Sequence, residues 1–101
     1  MSVVWIGRWK DQNRDEQAKG HDAAAEKIAQ MSRDAGAIHH DVYHASDAGE
    51  GFVIDEWESR EALEGFLSSP EFRSALEDAG FSPPDEVIIL EKLPGDPQYR
   101  W

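Results

Sequence analysis

Three histidines in six residues, His39, His40 and His44, bring proton-transfer chemistry near neutral pH to one short stretch of this chain. The stretch reads as a β-strand, and strand side chains alternate between faces. That alternation groups His39 with Asp41 and Tyr43, and His40 with Ile38, Val42 and His44. His39 and Asp41 then stand roughly 6–7 Å apart along the strand. With Asp55 on a neighbouring strand, they form a candidate catalytic group in which carboxylates orient an imidazole base. Such a base deprotonates a phenol or hydroquinone and so helps it react with dioxygen. The competing reading makes them polar residues of a half-buried strand or of a dimer seam. No metal centre is expected. His40 and His44 lie roughly 13 Å apart on an extended strand, too far to share one ion with bonds of about 2 Å. The chain also has no cysteine to supply a thiolate.

The second chemical feature is aromatic. The same alternation groups Trp5, Trp9, Tyr43 and Trp57 with the candidate acid–base residues. Phe66 and Phe72 fall on helical stripes with Met31 and Leu76, and complete an apolar wall. Together these six aromatic residues are the candidate substrate-binding set, since a flat molecule stacks on such rings and an indole N–H can donate to it. Ala23, Ala24, Ala25 and Ala29 are good helix formers, and they also leave volume opposite the large rings. A filled core is the alternative use of the same side chains.

The elements that must position these groups are legible in order. Val3 to Trp9 is rich in β-branched and aromatic residues and reads as a strand. A helix follows, starting near residue 14, where Asn13 and Glu16 have capping-box spacing, or near 22, beside His21, and ending at Ala35 before Gly36. Ala37–Ala45 and Phe52–Glu58 read as a hairpin around the turn at 46–51. Ser59 caps a short helix carrying Leu63, Phe66 and Leu67. Ser69-Pro70 starts another that ends at Gly80. Glu86–Leu93 is the last strand. The order β-α-β-β-α-β predicts an α+β, ferredoxin-like fold with a four-stranded antiparallel sheet and helices on one face. Residues 1–93 form one domain and 94–101 a tail. The strands leave two covered faces: an aliphatic one (Val4, Ile6, Ile38, Val42, Phe52, Ile54) and the aromatic-polar one. Helices cover only one, so a second copy of the chain is expected on the other.

Composition excludes several classes. The formal charge is −11. Residues 47–91 carry thirteen acids against two bases, so neither nucleic acid nor an anionic membrane surface is an expected partner. No apolar run approaches the ~20 residues of a membrane span, and the N-terminus has no signal-peptide pattern. A cytoplasmic location is the expectation. Nucleophile-elbow, phosphate-loop and zinc motifs are lacking.

Three stretches carry a resemblance. They are Ala35-Gly36-Ala37-Ile38, Phe52-Val53-Ile54-Asp55-Glu56-Trp57-Glu58-Ser59 and Ser69-Pro70-Glu71-Phe72. With the element order, they make residues 3–93 resemble the antibiotic biosynthesis monooxygenase-like domains of the dimeric α/β-barrel superfamily. The resemblance implies a homodimer whose two sheets form a barrel, and a pocket in each subunit between sheet and helices. It implies oxidation of a flat aromatic molecule by dioxygen with neither metal nor flavin, so no cofactor is expected. Trp57 matches a Trp that family members place in the pocket. Relatives that degrade haem use an Asn on the first strand and a His on a late helix. Gly7 and Ala75 stand at those positions here, which argues against haem cleavage. The function implied is a cofactor-independent monooxygenase acting on an aromatic or quinol-like small molecule. The alternative is a non-catalytic, ligand-binding or stress-type dimeric barrel.

Overall fold

The computed structural model describes residues 2–19 and 23–93. Its element order is β1 (Val3–Trp9), α1 (Arg14–Lys19), α2 (Ala23–Ala35), β2 (Ala37–Ala45), β3 (Glu50–Trp57), α3 (Arg60–Leu67), α4 (Pro70–Ala79) and β4 (Glu86–Glu91). The four strands make one antiparallel sheet in the order β2-β3-β1-β4. This is the α+β, ferredoxin-like arrangement expected from the strand and helix order.

Local signals set the element ends. Asn13 Oδ1 accepts from the backbone N–H groups of Asp15 and Glu16, which starts α1. Ser59 and Ser69 cap α3 and α4 through their side chains, and Pro70 occupies the first turn of α4. The first helical region is described over Arg14–Lys19 and Ala23–Ala35, and His21 lies outside the described residues. The tail at 94–101 also lies outside them. Glu50 and Gly51 belong to β3 rather than to the turn, because Ala45 pairs with Glu50 and His44 with Gly51. The last strand ends at Glu91, not Leu93. Among the described residues, no helix is long and apolar enough to cross a membrane.

Gly36 links α2 to β2 at φ +122°, a conformation that L side chains rarely adopt. Its carbonyl accepts from the Glu58 N–H at 2.9 Å and ties the start of β2 to the end of β3. Immediately after it, β2 departs from regular pairing. Ala37 is opposite Trp57, but His39 is opposite Glu56. Ile38 is thus one extra residue, a β-bulge that shifts every later side chain of β2 by one position.

The core sits at one end of the sheet. Val3, Trp57, Leu63 and Phe66 are buried together. Trp5, Met31, Ala35, Ala37, Ala62, Phe72 and Ile89 pack around them. The helix α2 packs on β2, α3 and α4, while α3 packs on β3.

Candidate functional site

Antiparallel partners share a face, so the registers lay out the helix side of the sheet in rows. The first row is Ala37, Trp57, Val3 and Glu91. The second is His40, Asp55, Trp5 and Ile89, and the third is Val42, Val53, Gly7 and Val87. The fourth holds His44, Gly51 and Trp9. Helices close over the first row, where Trp57 is 1% exposed and Val3 is buried. Cover is thinner at the edge strands: in the third row Val42 is 36% and Val87 46% exposed, while Gly7 between them is buried. Rows two to four, half-buried at Trp5, Val53 and Trp9 and exposed at the edge-strand residues Val42 and Val87, make the candidate trough beside the core.

The polar centre of that trough is a pair. His40 Nδ1 lies 2.6 Å from Asp55 Oδ1. The Asp55 side chain is 14% exposed and that of His40 is 43%. A carboxylate acceptor at Nδ1 fixes the neutral tautomer with its proton there, and Nε2 becomes the lone-pair nitrogen. The hydrogen bond to Asp55 raises the His40 pKa above 6.5. Partial burial opposes that rise, while the charges of Asp55 and Asp41 add to it. A raised folded-state pKa stabilises the fold fully below the unfolded value. That contribution is lost as pH climbs through the folded value. Urea midpoints of the wild-type protein should consequently fall, relative to those of His40→Asn, as pH rises from about 6.5. Equal slopes in the two proteins would refute the assignment.

Aromatic side chains surround the pair unevenly. Trp57 packs on Phe66 with ring centroids 5.1 Å apart, and Phe66 on Phe72 at 4.3 Å. These three rings, with Leu63, fill the space beside Trp57, so that side is core rather than opening. Trp57 Nε1 has no hydrogen-bond partner, the one such buried side-chain atom among the described residues. Trp5 and Trp9 are half-buried in the trough itself, in edge contact at 6.4 Å. The Trp9 indole donates to the Ser82 carbonyl at 2.9 Å.

The model of the family described as antibiotic biosynthesis monooxygenase matches residues 8–78. The chain belongs to the antibiotic biosynthesis monooxygenase family. Solved structures with the same fold include Rv0793 from Mycobacterium tuberculosis, at 24% identity and TM-score 0.64, covering 92% of this chain and 96% of that one. A variant of SnoaB, a cofactor-independent oxygenase from Streptomyces nogalater, aligns at 15% identity and TM-score 0.65, covering 92% and 97%. A conserved protein from Methanosarcina mazei aligns at 13% identity and TM-score 0.66, covering 92% and 94%. No curated protein matches.

Within this antibiotic biosynthesis monooxygenase fold, the expected site residues divide. Asp55, Trp57, Trp5 and Trp9 share the helix side of the sheet, and Phe66 and Phe72 face it from α3 and α4. His39, Asp41 and Tyr43 do not. Their partners Glu56, Ile54 and Phe52 lie on the opposite face. The grouping of His39 and Asp41 with Asp55 is therefore corrected, and the Ile38 bulge is the physical reason. Val42, expected on the aliphatic face, moves to the trough for the same reason. The histidine that meets Asp55 is His40, which the strand alternation alone placed on the other side. Counting pairs back from the hairpin turn would have found it.

Proposed function

We propose that this chain is a monooxygenase that oxidises a flat phenolic or hydroquinone-type molecule with dioxygen in the trough. The observation that carries the reading is the His40–Asp55 pair, set beside Trp5 on the sheet face that also holds Trp9 and Trp57. Family membership and the fold shared with a cofactor-independent oxygenase support it.

The chemistry balances with substrate and dioxygen alone. Nε2 of His40 takes the phenolic proton, and Asp55 stabilises the imidazolium that results. The phenolate carbon para to oxygen gives electrons to dioxygen and forms a C–O bond. His40 returns its proton to the distal peroxide oxygen. The O–O bond then breaks as the same carbon loses its own hydrogen as a proton. One phenol and one dioxygen become one quinone and one water. The Trp5 and Trp9 rings bind and orient the flat substrate, and their apolar surface excludes water from the charged intermediate.

The test is oxygen uptake by protein freed of metal and flavin, with α-naphthol and anthrol as substrates. One dioxygen consumed per quinone formed is the expected result. Saturable binding with no uptake above buffer would instead identify a ligand-binding barrel without catalysis. Haem degradation is not supported: Gly7 offers no side chain, and the Trp5 and Trp9 rings lie over it.

A second copy of the chain is the proposed cover for the other face. There Ile6, Ile54 and Ile88 share one row and Val4 and Leu90 another, with Phe52 on the same face opposite Arg8, and Ile88 and Leu90 are exposed in the single chain. Burying such side chains is worth about 1.5–3 kcal/mol each. Sedimentation should give a dimer mass for the wild type and a monomer mass for Ile54→Asp. A wild-type monomer would reject this.

A further inference from the structure

We propose that His39 and Glu56 form a pH-sensitive switch on the sheet face opposite the trough. A protonated His39 neutralises Glu56 and lets a second copy of the chain cover that face. A neutral His39 leaves a lone carboxylate there that opposes the contact. This deepens the reading of that face as the junction of two copies and rests on it.

His39, Glu56, Val4 and Leu90 form one row across this face. Glu56 stands on a central strand, beside Val4 and on the same side of β3 as Ile54. It therefore lies inside the apolar area that a second copy would cover, and it is already half-buried in the single chain. His39 is on the edge strand β2 and is exposed, so it exchanges protons with solvent at the rim. The two residues are direct cross-strand partners. Such partners have Cβ atoms about 4.5–5.5 Å apart, within reach of a contact between an imidazolium and a carboxylate.

The charged groups of the face fall into two sets. Arg8 on β1 donates to Glu50 on β3 and, at 2.6 Å, to Glu86 on β4, so its cation is already held by two carboxylates. The other set is His39, Asp41 and Tyr43 on β2 and Glu56 on β3, with Glu58 just past β3 beside Gly36. Neither Asp41 nor Glu56 forms a salt bridge among the described residues. His40 and Asp55 belong to the opposite, helix-covered side. Among these strand residues, His39 is thus the group that can gain a positive charge near neutral pH on this face.

Covering a lone carboxylate with apolar surface is costly, and a bonded cation offsets that cost. Below the ordinary imidazole value of about 6.5, His39 supplies the charge that Glu56 lacks. Above it, closing the face buries Glu56 unpaired. Assembly therefore takes up protons, so affinity between copies is highest on the acid side and falls as pH rises.

Sedimentation equilibrium of the whole chain from about pH 6 to about pH 8 is the test, a range in which exposed carboxylates stay ionised. The wild-type dimer should weaken about tenfold or more across it. One proton taken up per subunit allows at most about a hundredfold per pH unit. Glu56→Gln should dimerise tightly at every pH and His39→Gln weakly at every pH, both without the slope. Glu77→Gln on α4 removes the same charge from a helix and should keep the wild-type slope. A wild-type dimer of constant affinity, or a slope that persists in either Glu56→Gln or His39→Gln, overturns the switch and leaves the dimer standing. So does a Glu77→Gln dimer as tight and as flat as that of Glu56→Gln. Monomers at the acid end for both the wild type and Glu56→Gln reject the dimer and the switch together.

Discussion

Replacing Trp57 with alanine is expected to cost about 3–5 kcal/mol of stability, read as a lower urea midpoint. Trp57 is 1% exposed and, among the described residues, shares the buried apolar core with Val3, Leu63 and Phe66. Domains of this size hold about 5–15 kcal/mol in total, so this one side chain is a large fraction of what keeps the chain folded. The conservative change should behave differently. Trp57→Phe retains an aromatic ring and deletes an indole N–H that is buried with no partner. Leaving such a donor unpaired costs about 1–3 kcal/mol, and its removal offsets part of the lost packing. The phenylalanine variant should therefore lose less than half of what the alanine variant loses. A Trp57→Ala protein within about 1 kcal/mol of wild type would show that the core is not organised around this ring.

The second large effect concerns turnover. His40→Ala should lower the rate of oxygen consumption roughly a hundred- to ten-thousand-fold, the usual worth of a positioned general base. His39→Ala should leave it near wild type, because His39 faces the opposite side of the sheet, across from Glu56. Asp55→Asn keeps the imidazole but removes the carboxylate that fixes its tautomer and raises its pKa. The rate should fall, and the acid limb of the pH profile should move to lower pH. A His39→Ala enzyme as impaired as His40→Ala would reverse the assignment.

The contrast between these two histidines shows what the sequence could carry. Helix ends were legible residue by residue, since Ser59, Ser69-Pro70 and Gly80 each act through their own backbone chemistry. So was the order of elements that specifies the sheet. The faces of β1 and β3 followed from simple alternation, which put Trp5, Trp9, Asp55 and Trp57 together. Alternation failed on β2 because Ile38 is inserted opposite no partner of its own, and nothing in Ala37-Ile38-His39 announces a bulge. The hairpin turn held the missing information. Ala45 pairs with Glu50, and stepping outward pairs His40 with Asp55 without crossing the irregular end. The closing of the core around Trp57 depends on how α2, α3 and α4 lean together, and no local pattern encodes that.

The position of the core has a consequence for motion. Because the buried apolar cluster lies under the first row of the sheet, each central strand has one end inside that cluster and one end outside it. Amide protons near Val3 and Trp57 should exchange with solvent only when the whole domain opens, and those near Trp9 and Gly51 through smaller local openings. The trough thus occupies the part of the sheet that can breathe while the rest stays folded. A flat molecule of the kind proposed would enter and leave there without the domain having to unfold.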